Sequence, residues 1–342
     1  MARIAPIGQI DDAEVRQATL TGPGGMQVVL LTWGARLAEL WVPDRSGALA
    51  DIVLGQDSLD AWQTHGTYLG ATCGRYANRI AGGRFSLDGR PIQLDRNEGA
   101  NSLHGGSGGF DLKHWQIADH SDSHVTFTAT SPNGEMGYPG TLQARTTYRI
   151  DGTGLVIEME ATTDAPTIVN LVNHAYFNLA GQGAGDIMGH QLQVDASHYL
   201  PVDPELIPTG EILSVAGSAF DFRQPRAIGA ELPGPNAFDH NLCLSAPTGA
   251  EGLRPCLTAT DPASGRRMQL STTEPGVQFY TGAHFGGGPG KRGTHYPRFA
   301  GFAAETQRFP DSPNRPQFPS ARLDPGQSYR HVMRFDFTPA RG

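Results

Sequence analysis

Short alternating runs and turn signals recur along the whole chain while a helical period is almost absent, and that combination leaves few architectures open. Runs with β character fall at Met26–Trp33, Leu37–Val42, Val125–Thr130, Leu142–Ile150, Leu155–Ala161 and Thr167–Val172. Others follow at His190–Val194, Leu253–Thr260, Arg267–Thr272, Val277–Tyr280 and His331–Phe337. In one, Leu155, Ile157 and Met159 share a face, with Val156, Glu158 and Glu160 on the other, the period of a half-buried strand. Arg84–Leu87 and Arg90–Leu94 flank Asp88-Gly89, the pair that tight hairpins prefer because both central residues take positive φ. Only Ser58–Thr64 offers a short helical turn. Strands that do not alternate with helices disfavour a parallel α/β sheet. No internal repeat or linker tract breaks the chain, so the expectation is one all-β domain over residues 1–342, a large antiparallel β-sandwich with its site on a concave face.

Composition narrows the function classes. The 44 glycines and 25 prolines among 342 residues stay below the ~25–30% at which low complexity is suspected. A formal net charge of −8 gives no footprint for a phosphate backbone or an anionic membrane, so nucleic acid and membrane are poor partners. No apolar run approaches the ~20 residues that span a bilayer, and the start of the sequence lacks the basic segment and apolar core of a signal peptide. Cys73, Cys243 and Cys256 are odd in number without a C-x-x-C, which reads as free thiols in a reducing, cytoplasmic setting.

Several segments could carry chemistry. The twelve histidines include no H-E-x-x-H, and the closest groupings, His114/His120/His124 and His190/His198, lack ligand spacing, so no metal is expected. His104 to Gly109 fits G-x-S-x-G around Ser107, but a nucleophile elbow needs a strand-to-helix turn and no amphipathic helix follows. The glycines at 181–185 read as a loop. In Asn170–Asn178 polar groups stand among apolar ones; as a strand it would turn Val172, His174 and Tyr176 one way and Asn173, Ala175 and Phe177 the other. A satisfied core histidine would look the same locally. Glu305 stands among small apolar residues in F-A-A-E-T-Q-R-F-P-D-S-P-N, where burial would raise its proton affinity, although an edge-strand glutamate facing water fits too. Asn78 and Arg79 occupy a glycine-flanked loop that also suits a solvated arginine.

The combination is far more specific than any member. The segments G-R-Y-A-N-R-I-A-G-G-R-F (74–85), N-S-L-H-G-G (101–106), G-E-M-G-Y-P-G (134–140) and N-H-A-Y-F-N-L (173–179) resemble those of the aldose 1-epimerase (galactose mutarotase) family. So do P-V-D-P-E-L-I-P-T-G (201–210), F-D-H-N (238–241), T-T-E-P-G-V-Q-F-Y-T-G (272–282) and E-T-Q-R-F-P-D-S-P-N (305–314). The resemblance covers nearly the whole chain. It implies the galactose mutarotase-like supersandwich and an isomerase that interconverts the α- and β-anomers of free aldoses such as galactose and glucose, with no cofactor. His174 matches the general acid and Glu305 the general base, expected on opposite sides of the sugar. Asn78, Arg79, His104, Tyr176, Asp239 and Gln278 match substrate contacts: His104 and Arg79 near the ring and C1 oxygens, Asp239 on distal hydroxyls. The implied partner is a small monosaccharide, acted on by a monomer or homodimer.

The chain departs from the family pattern at Ala175, at Ala303-Ala304 and over Gly286–Phe299, the last expected to reshape a rim loop. Three other readings remain open at this point. A hexose-6-phosphate 1-epimerase would want a cationic cluster for the phosphate. A β-sandwich glycoside hydrolase could pair Glu305 with Asp239. A sugar-binding module without activity would need His174 or Glu305 misplaced.

Overall fold

The computed structural model describes residues 1–65 and 68–339. Three large sheets carry the chain, and every pairing between neighbouring strands in them is antiparallel. Nine strands form the largest, in the order Gln116–His120, His124–Ser131, Leu142–Asp151, Gly154–Thr163, Tyr329–Pro339, Arg266–Thr272, Arg254–Thr260, Gln191–Val194 and Arg226–Ala227. Six form a second, in the order Tyr176–Phe177, Phe302–Gln307, Gly276–Tyr280, Asp239–Leu244, Ala196–Tyr199 and Leu213–Ser214. Arg3–Ile10, Ala13–Thr21, Gln27–Leu31, Arg36–Pro43 and Leu49–Asp51 form a third.

Period-two alternation lets these sheets share one apolar interior. Leu155, Ile157 and Met159 are fully buried and join Met333, Phe335, Met268 and Leu270 on the inner face of the nine-stranded sheet. Val277, Phe279, Phe302 and Ala304 meet them from the six-stranded sheet, and the rings of Phe177 and Phe335 come within 5.4 Å. Burying a side chain of this size stabilises the fold by about 1.5–3 kcal/mol. Because the inner face is filled by alternate residues, the intervening ones on the same strands are displayed on the outer face, where the site lies.

The sequence-predicted strands recur with end shifts of a few residues, as does the Arg84–Leu87/Arg90–Gln93 hairpin. Leu59–His65 is helical, with the Ser58 hydroxyl accepting the Ala61 N–H in the manner of an N-cap. Thr167–Val172 is not one strand: Thr167–Ile168 and Val172–Asn173 pair with different partners. The first hairpin, Arg3–Ile10 with Ala13–Thr21, escapes the pattern because its residues are mostly polar or half-exposed. No helix among the described residues is long and apolar enough to cross a membrane.

The divergent segment 286–299 is tied down from below. Lys291 is buried and its Nζ donates to the Ala38 carbonyl at 2.7 Å and to Asp51 Oδ2 at 2.5 Å, while Asp51 Oδ1 accepts the Leu40 N–H. Fixing this loop seats Tyr296 and Phe285 against Tyr176, whose ring lies 5.1 Å from that of Phe285. Removing one partner of a buried ion pair leaves the other charge uncompensated. Lys291→Met is therefore expected to lower unfolding free energy by about 3 kcal/mol in urea titration; an unchanged midpoint would show that the pair does not hold the loop.

Candidate active site

Register across the six-stranded sheet assembles the site. Asn241 opposes Gln278, which opposes Glu305, and in the adjoining row Asp239 opposes Tyr280, which opposes Ala303, which opposes Tyr176. On Phe302–Gln307, Phe302 and Ala304 enter the core while Glu305 faces outward beneath the loops that cover the sheet. The strand is internal, paired on both sides and buried throughout, so Glu305 is not an edge residue facing water.

His174 lies between Val172–Asn173 and Tyr176–Phe177, and the expected alternation holds: His174 and Tyr176 line one cavity. Asn173 on the other side donates to the Tyr148 hydroxyl and the Gly70 carbonyl, and Phe177 enters the core. His174 Nε2 and Glu305 Oε1 are 3.4 Å apart. Acid and base candidates thus stand side by side, not on opposite faces of a sugar. One wall suffices, because the hydroxyl and ring oxygens of a hemiacetal are bonded to the same carbon. His174 Nδ1 and Glu305 Oε2 are buried with no protein partner.

His-Gly-Gly at 104–106 serves geometry. His104 has φ 51° and Gly105 φ 98°, and a Cβ on Gly105 would lie 1.9 Å from the Gly74 carbonyl oxygen, so no other residue fits there. The bend turns the His104 ring to 5.1 Å from that of His174. The backbone N–H of Asn78 donates to His104 Nδ1 at 3.1 Å, which places the proton of the neutral ring on Nε2. Asn78 itself takes φ 64°, a conformation that Asn tolerates better than most residues. Ser107 makes no contact with a base; its hydroxyl faces Met136 Sδ, and Phe110–Leu112 is a single 3₁₀ turn, so the elbow geometry does not form.

The cavity encloses about 340 Å³, within the range of small-ligand sites. Asn78, Arg79, His104, His174, Tyr176, Asp239 and Glu305 all line it. Gln278 stands behind, donating to Asp239 Oδ1 at 2.6 Å and so orienting that carboxylate. Arg79 is only 8% exposed, not the solvated arginine of a turn. Tyr68, Glu98, Leu206, Tyr280 and His284 also line the cavity without having been singled out from the sequence. Tyr280 lies within a segment that carries the resemblance; Glu98 and His284 do not, and no local pattern marks them. A larger depression of about 660 Å³ beside Ser218, Asp221 and Arg226 is less suited to chemistry, since Arg223 is already paired with Asp221 there.

Burial dominates the electrostatics. It pulls His174 down to about 3, helped by the charges of His284 and Arg36 and opposed by a backbone hydrogen bond. It pushes Glu305 well above the usual carboxylate range, reinforced by Asp239 and opposed by Arg79. His104 is lowered by burial and then by His174 and Arg79. Asp239 is raised by burial, against the pull of Arg79 and Gln278. The ligand atoms of His104, His174 and Glu305 lie within 4.8 Å of one another, the one group of this kind among the described residues, and two imidazoles with a carboxylate could also hold a divalent ion. Histidines distant in sequence converge here, whereas the near-neighbour pairs do not.

A protein-family model described as aldose 1-epimerase matches residues 16–336. The chain is 46% identical over 318 residues to the galactose mutarotase of Bos taurus, spanning 92% of each chain. It is 37% identical to the aldose 1-epimerase of Escherichia coli (strain K12) over 343 residues, spanning 98% of this chain and 97% of the relative. Among solved structures, an aldose epimerase homologue from C. elegans matches with a TM-score of 0.88 and 31% identity over 95% of this chain and 99% of that one. The galactose 1-epimerase of Lactobacillus acidophilus NCFM matches with a TM-score of 0.86 and 27% identity over 100% and 99%. With matching sequence, fold and pocket, this chain belongs to the aldose 1-epimerase family.

Proposed function

We propose that the protein interconverts the α- and β-anomers of free aldoses, galactose and glucose among them, by acid–base opening and reclosure of the ring. The observation that carries this is the buried 3.4 Å contact between His174 and Glu305 at the wall of a monosaccharide-sized cavity. The same contact disfavours a binding module with a misplaced acid or base. Anomer exchange needs a proton taken from the C1 hydroxyl and one delivered to the ring oxygen. No electron or acyl group moves.

In this mechanism Glu305 as carboxylate takes the C1 hydroxyl proton while His174 as imidazolium protonates the ring oxygen, and the bond from C1 to that oxygen breaks. The open aldehyde turns about C1–C2, and the reverse transfers close it on the other face. The pair carries one proton throughout: ion pair with the closed sugar, neutral acid and neutral imidazole with the open one. Burial favours neutral forms of both groups, so the dry pocket eases passage to the open chain, while hydrogen bonds from sugar hydroxyls favour the ion pair in the closed complex. Arg79 and the His104 Nε2–H are donors suited to oxygen charge that develops on the way, and Asp239, held by Gln278, suits distal hydroxyls.

An uncharged substrate fits the lining. Glu98, Asp239 and Glu305 face a single guanidinium, that of Arg79, rather than the cationic cluster a sugar phosphate would need. A cytoplasmic location belongs to the same proposal, supported by three unpaired cysteines, and a monomeric or dimeric state is compatible with it.

Polarimetry on freshly dissolved α-glucose or α-galactose tests the function. His174→Ala and Glu305→Ala are each expected to lower kcat by at least about 100-fold with the folded state retained; near-wild-type turnover in either would overturn the roles. The pH dependence follows from the single shared proton. Acidification adds a second proton, but the depressed His174 delays this, so kcat/KM should hold well below histidine's ordinary value of about 6.5. Rising pH removes the last proton and should abolish activity along one alkaline limb below about pH 9; an acid limb at histidine's ordinary value would contradict the assignment. Treatment with a chelator is expected to leave the rate unchanged. A loss restored by a divalent cation would instead assign His104, His174 and Glu305 to a metal.

A further inference from the structure

Glu98 is placed with unusual care for a half-exposed carboxylate. It opens a tight turn closed by reciprocal backbone hydrogen bonds with Asn101, with Gly99 at φ 58°. Asn97 brackets the same turn, donating to the Leu103 carbonyl and accepting the Leu103 N–H, and Asn101 Oδ1 accepts the Gly82 N–H. From this platform Glu98 accepts Arg79 Nε at 2.6 Å and Nη2 at 2.7 Å, a two-point grip along one edge of the guanidinium. Nη1 is left without a hydrogen-bond partner in the protein. Glu98 lines the cavity beside Arg79, yet its side chain is 37% exposed, and a pair that wet contributes only about 0–1 kcal/mol to stability. Its consequence therefore lies in the pocket.

We propose that Glu98 is a positioning residue for Arg79: gripping the Nε–Nη2 edge, it presents Nη1 to the sugar oxygens and keeps the guanidinium from collapsing onto Glu305. Asp239 and Glu305 are the other carboxylates whose charge acts on Arg79. Without Glu98 the cation would turn toward them, and an ion pair with Glu305 would weaken the base. The inference deepens the proposed function and rests on it.

The test is a double-mutant cycle on the full chain with wild type, Glu98→Gln, Arg79→Lys and the double variant, each assayed by polarimetry on glucose with melting temperature as a control. Gln preserves the backbone turn but offers one acceptor, and Lys cannot accept a two-point grip. Glu98→Gln is expected to lower kcat about tenfold, the loss of one charge-assisted hydrogen bond, with little change in KM and with the alkaline limb moved to lower pH. In the Arg79→Lys background the same substitution should change nothing further. Full activity in Glu98→Gln, or an equal loss in both backgrounds, would overturn the proposal. If wild type itself fails to accelerate anomer exchange, the mutarotase reading falls; glucose titrations of the same four proteins then still report whether the effects of Glu98 and Arg79 on binding are coupled.

Discussion

The antiparallel register of three inner strands fixes almost everything that follows. Gln278 sits between Asn241 and Glu305 because Gly276–Tyr280 is hydrogen-bonded on both sides, and a slip by one residue would turn Glu305 into the core and Phe302 or Ala304 out of it. The aromatic packing of Phe279, Phe302 and Phe177 against the nine-stranded sheet opposes such a slip. Stability and site geometry thus have one origin: the side chains that hold the sheets together are the neighbours, along the same strands, of those that face the sugar cavity.

Burial then supplies the chemistry. An imidazole and a carboxyl in contact, both sheltered from water, disfavour their charged forms together, and the proton they share moves between two states close in energy. In the proposed mechanism that near-balance is the catalytic device, since ring opening shifts the proton from one member to the other. Arg79 complicates it. A cation near Glu305 steadies developing charge, yet a cation too near would hold the base ionised and inert, and the two-point grip of Glu98 sets that separation.

Much of this was legible in the chain. Leu155, Ile157 and Met159 announce a strand because strict alternation has no helical equivalent, and all three are buried. Asn78, Arg79, His104, His174, Tyr176, Asp239 and Glu305 share one cavity as the resemblance implied. Gln278 is displaced by one layer, holding Asp239 instead of lining the cavity, a distinction that depends on which hydrogen bond an amide makes and not on its place in a motif. Glu98 and His284 were invisible because their neighbours carry no periodicity; both come from loops, and only tertiary closure brings them to the cavity. The side-by-side placement of His174 and Glu305 was missed for a similar reason, as no spacing along a chain encodes the angle between two sheet-borne side chains.

Since the account turns on where one proton resides, nitrogen NMR of the His174 ring in labelled protein reads it most directly. Without sugar the ring should be neutral from about pH 5 to 8, because burial disfavours its charge. With a saturating pyranose that cannot open, such as a 1-deoxy sugar, it should carry protons on both nitrogens. A ring that stays neutral in both states would contradict the account, because an imidazole without that extra proton cannot be the acid that opens a closed hemiacetal.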